Sequence, residues 1–118
     1  MIVRPFLALA VGAAALLAAT QTLAHAKLVS ATPAENAVAA APGQIVLRFN
    51  EKLQGKFSGF ELSKGGAAVP VKVSVAKDQL SLVGVPAKPL AAGAYEVKWH
   101  AVTADTHRMQ GGYSFTVR

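Results

Sequence analysis

The sequence predicts an all-β domain, a sandwich or barrel of about seven strands, and two observations carry that prediction. Apolar and polar residues alternate with a period of two in one short segment after another. Turns and loops, most of them marked by Gly or Pro, punctuate those segments at the intervals that such folds need.

The first two dozen residues stand apart from that pattern. Arg4 supplies one positive charge, an apolar run follows over residues 6–19, and small residues precede Ala24. A basic start, an apolar centre and small residues before a cut form the secretory signal pattern. The run is short of the roughly 20 apolar residues a spanning helix wants. Cleavage after Ala24, with Thr22 and Ala24 both small, leaves 118 − 24 = 94 residues with His25 as the new N-terminus. Residues 1–24 are thus expected to be a cleaved signal and residues 25–118 one domain without a membrane span.

Along residues 25–118 the strands are expected in the following order. Residues 27–32 open the domain. Residues 33–42 are Ala-rich and are expected to hold at most a helical turn, stopped by Pro42-Gly43. Residues 44–51 put Ile45, Leu47 and Phe49 on one face. Phe60 and Leu62 alternate with Glu61 and Ser63 before a turn at Lys64-Gly65-Gly66-Ala67. Val71, Val73 and Val75 follow, then a turn over residues 76–79 and a short strand over residues 80–83. Residues 84–93, with Pro86 and Pro89, read as a long loop. Tyr95, Val97 and Trp99 alternate with Glu96, Lys98 and His100, and the last strand sets Tyr113, Phe115 and Val117 against Ser114 and Thr116.

Composition narrows the possible functions. Without Arg4 the chain has 11 basic and 6 acidic side chains, a formal charge of 11 − 6 = +5. The lysines are scattered singly, so no nucleic-acid footprint is expected. There is no cysteine, so the fold rests on its core, and any metal site must use nitrogen and oxygen donors or a thioether.

Candidate chemistry is confined to a few residues. A histidine at a free N-terminus offers its α-amine and ring Nδ1 to one ion, and this donor pair suits copper(II), the tightest-binding divalent first-row ion at such sites. His25 is that residue if cleavage falls after Ala24. Asp105 and His107, two apart, share a side of an extended chain and can reach one ion together. Glu51 lies where its strand runs out, and two readings stay open for it: a solvated strand-end acid, or an outer ligand or partner for a ligand N–H. His100 has the parity of Glu96 and Lys98 and is expected on a sheet face, away from the pair. Met109 is the only methionine after Met1, which excludes a thioether-rich copper(I) site. No nucleophile elbow, phosphate loop or zinc-protease motif is present.

These residues sit in a pattern that resembles the CopC family of periplasmic copper-binding proteins, including its YobA-type members. The resemblance runs from His25-Ala26-Lys27-Leu28 and Thr32-Pro33-Ala34, through Leu47-Arg48-Phe49-Asn50-Glu51 and Phe57-Ser58-Gly59. It closes at Trp99, Asp105-x-His107 and Gly112-Tyr113-Ser114-Phe115-Thr116-Val117. It implies an immunoglobulin-like Greek-key sandwich that binds one copper(II) per mature chain through His25, Asp105 and His107. Glu51 matches an acid found nearby in some members. The resemblance also implies a periplasmic role in copper homeostasis or resistance without catalysis, and a CopD-type inner-membrane partner. The methionine-rich copper(I) loop of many members is missing. Two other readings stay open at this point: a small copper monooxygenase, and an adhesion or interaction domain with incidental histidines.

Overall fold

The computed structural model describes residues 26–118. The expected signal segment and His25 therefore lie outside the described residues.

Among the described residues, nine strands form two sheets. They are β1 (Leu28–Thr32), β2 (Val38–Ala39), β3 (Ile45–Phe49), β4 (Gly59–Lys64), β5 (Ala67–Val69), β6 (Val71–Val75), β7 (Ser81–Pro86), β8 (Gly93–Val102) and β9 (Arg108–Val117). One sheet has the order β1-β3-β7-β6 and the other β2-β9-β8-β4-β5. All pairings are antiparallel except β2 with β9. The chain passes between sheets after β1, β2, β3, β5 and β7, so sequence neighbours are repeatedly split across the sandwich.

The alternation seen in the sequence becomes the core. Ile45, Leu47 and Phe49 are buried from β3, Phe60 and Leu62 from β4, and Leu82 from β7. Tyr95 and Val97 come from β8, and Tyr113, Phe115 and Val117 from β9. Period-two side chains from both sheets meet between them, as expected when two sheets each have one dry face. The Tyr95 hydroxyl donates to the Ala91 carbonyl four residues back at 2.7 Å, a tie that recurs at the corners of Greek-key sandwiches. Trp99 meets Phe49 edge to face across the interior, with ring centroids 5.1 Å apart.

Two expectations need correction, and one strand was not anticipated. The segment over residues 33–42 contains strand β2, which runs parallel to the end of β9, and no helical turn. A two-residue strand carries too short an alternation to be recognised. The turn expected at residues 64–67 is present, and it leads into a further short strand, β5, that the alternation pattern did not announce. The long loop expected from residue 84 begins later, because β7 continues to Pro86. There Val71 of β6 pairs with Pro86, while β3 has already ended opposite Gly84. Proline's missing N–H is tolerated at such a position.

The end of the sandwich where β3 runs out brings the start of the described chain close to the loop after β8. Ala26 is buried, and the Lys27 N–H donates to the Asn50 side-chain oxygen at 2.7 Å. The Asn50 N–H returns a bond to the Lys27 carbonyl at 3.2 Å. Three residues on, Leu53 bridges Thr103, and the Gln54 N–H donates to the Val102 carbonyl at 2.8 Å. The segment 50–54 thus ties the start of the described chain to the loop between β8 and β9.

Candidate metal centre

The loop over residues 103–107 joins two ten-residue strands. It is closed by the Thr103 N–H donating to the His107 carbonyl at 3.1 Å, with a tighter turn inside, Thr106 N–H to Thr103 carbonyl at 2.9 Å. Thr106 lies at φ 69°. A β-branched residue rarely adopts this left-handed region, and its presence between the two candidate ligands reverses the chain direction there.

That reversal brings Asp105 and His107 together. His107 Nδ1 lies 3.1 Å from Asp105 Oδ2, and both side chains are about half exposed. The sequence placed these residues on one side of an extended chain. They do meet, but through a left-handed turn and not through strand parity. Two donors bound side by side at about 2.0 Å from one ion are separated by about 3 Å, so the pair already has the span of two neighbouring ligands. The His107 N–H also donates to Asp105 Oδ1 at 3.3 Å.

The Asp105 carboxyl is held below its ordinary range, first by a hydrogen bond from the Thr103 hydroxyl and further by the His107 backbone and ring. It is therefore ionised at neutral pH and can offer a charged oxygen. Imidazole nitrogen with carboxylate oxygen is a donor set that fits copper(II) and other borderline divalent ions. Among the described residues, no three His, Asp or Glu side chains gather into a metal cluster. Glu51, half-buried just after β3, thus does not complete a three-ligand set with the pair.

His100 stands where its parity indicated. It pairs with Gln110 and Gly59 in the five-stranded sheet. It lines a cleft of about 480 Å³ with Glu61, Lys98 and Arg108, not with Asp105 or His107. Thr103 and Gln54 are the residues that sequence reasoning missed. A Thr two positions before an Asp is a signal for a local side-chain bond, but nothing in the sequence pairs Gln54 with residue 103.

Residues 28–118 match the family model described as the CopC domain. The chain belongs to the CopC family. It is 42% identical over 114 residues to Copper resistance protein C of Pseudomonas syringae pv. tomato, covering 90% of each chain. It is 40% identical over 100 residues to Protein YobA of Escherichia coli strain K12, covering 80% of each. Among solved structures it superposes on PcoC, a methionine-rich copper resistance protein from Escherichia coli. There the TM-score is 0.76 at 42% identity, covering 80% of this chain and all of that one. The sandwich is thus the CopC-family fold, and the Asp105–His107 loop lies inside the matched region.

Proposed function

We propose that this CopC-family chain is an exported copper(II)-binding protein that sequesters or delivers the ion in the periplasm. A copper-related resistance or transport role is the common ground with relatives named for copper resistance. The observation that carries the finer reading is the Asp105–His107 pair, one oxygen and one nitrogen donor 3.1 Å apart at an exposed loop. An ion can reach it without the fold opening.

Two ligands from one loop do not hold copper tightly, and the proposed remainder comes from His25 through its α-amine and ring. In support, the chain at Ala26 and Lys27 is fixed to Asn50, on the segment that also anchors Thr103. Glu51 follows Asn50 directly and is proposed as an outer partner of the ion or of a ligand N–H.

The oxidation state follows from donor chemistry. Copper(I) prefers several soft sulfur donors, and after Met1 this chain has only Met109 and no cysteine. Met109 is half-buried and packs against the core. A single copper(II) per mature chain, binding without catalysis, is the reading that uses every donor named. A CopD-type membrane protein is the proposed recipient.

The test is direct. Intact mass of the exported protein should give a product beginning at His25, and copper(II) titration should saturate at one ion. His107→Ala should weaken binding by at least tenfold, since removing one ligand removes the loop's chelate. Full affinity in that variant overturns the site.

A further inference from the structure

Thr103 has an unusual position for a polar residue in an exposed loop. Its neighbours Ala104, Asp105, Thr106 and His107 are all exposed, yet Thr103 is 2% exposed. A hydroxyl has one hydrogen to donate, and here it goes to Asp105 Oδ1.

The Thr103 backbone is equally committed. Its carbonyl accepts from Gln54 Nε2 at 2.7 Å as well as from the Thr106 N–H, and its N–H goes to the His107 carbonyl. The isolated bridge to Leu53 holds the same residue against the 50–54 segment. Thr103 is therefore a fixed point, and its hydroxyl is a tether from that point to a mobile type of group. A half-exposed aspartate otherwise samples several rotamers, and an ion that bound it would have to freeze them. With Oδ1 tied back, Oδ2 is left facing the His107 ring.

We propose that Thr103 is a positioning residue. Its hydroxyl holds the Asp105 carboxylate so that Oδ2 and the His107 imidazole are preorganised for one copper(II) ion, and Gln54 keeps Thr103 in place. The proposal rests on the copper(II) reading above. Partners that orient ligands in this way are worth about 10- to 100-fold in metal affinity, mostly because ordering is paid at folding and not at binding.

The experiment uses the exported protein and two substitutions, Thr103→Val and Thr103→Ser. Copper(II) affinity is measured by competition with a chelator of known strength. The copper(II) electron paramagnetic resonance spectrum reports the ligand field, and melting of the metal-free protein reports the fold. Valine keeps the shape and loses the donor, so affinity should fall about tenfold or more and the spectrum should shift. Serine restores the donor and should restore both.

A valine variant that melts lower but keeps the parent's affinity and spectrum in the cold makes Thr103 merely structural and overturns the proposal. If valine prevents folding, Gln54→Met releases the Thr103 carbonyl and leaves every proposed ligand intact. It should shift the spectrum the same way, and an unchanged spectrum with unchanged affinity overturns the proposal. A parent protein that fails to bind copper(II) removes the functional reading and this proposal together. A parent that binds normally beside an indifferent valine variant removes the proposal alone.

Discussion

At the scale of single residues, buried polar groups show how the molecule sets charge. The Tyr113 hydroxyl is buried and has no hydrogen-bond partner among the described residues. Burial pushes its pKa up from 10.0 to about 12. An orphaned buried hydroxyl costs about 1–3 kcal/mol, so Tyr113→Phe should raise stability by about 1 kcal/mol at neutral pH. The pH dependence has a definite sign. The folded state holds this proton more tightly than the unfolded chain, so the stability linked to it is intact below pH 10 and is lost as pH rises towards 12. The phenylalanine variant should therefore gain on its parent above pH 10, measured as melting temperature against pH. A variant less stable than the parent at pH 7 contradicts this account of Tyr113. Asp105 shows the opposite logic: its carboxylate is stabilised first by the Thr103 hydroxyl, which holds its pKa below the ordinary carboxylate value.

At the scale of elements, the sequence was informative where alternation was long and silent where it was short or interrupted. The cores of β3, β4, β8 and β9 were visible in their apolar positions, because one dry face imposes a period of two. Strand β9 nevertheless begins at Arg108, well before the expected start at Tyr113. Gly111-Gly112 hides the first half, since glycine carries no face to read. The structure gives Gly111 a reason to be there. A Cβ at that position would lie 2.6 Å from Trp99 Cζ2, and the Trp99 ring is backed by Phe49. Gly111→Ala should therefore cost about 1–3 kcal/mol through overpacking. Denaturant unfolding followed by fluorescence of Trp99, the chain's one tryptophan, measures it. An unchanged midpoint with unchanged emission would show that the ring moves freely. The loop over residues 103–107 was legible as a ligand pair but not as a geometry, because the left-handed Thr106 is a conformation that no threonine advertises.

At the scale of the whole molecule, the sandwich acts as a frame that gathers distant parts of the chain at one end. Asn50 fixes Lys27, and Leu53 and Gln54 fix Thr103, so one short segment links the beginning of the described chain to the loop carrying Asp105 and His107. Long-range pairing of this kind does not show in local sequence patterns, which is why the tie between Gln54 and Thr103 is illegible there while the ligand types themselves can be chosen. The family fold and the family resemblance agree on the matched residues 28–118. The central claim adds His25 to that frame. It is tested most directly by copper(II) titration of the mature protein beside a form with one extra residue before His25. The extension turns the α-amine into an amide and leaves every side chain in place. Affinity should fall at least tenfold in the extended form, with a changed copper(II) spectrum. Equal affinity and an identical spectrum in the two forms would contradict an N-terminal chelate.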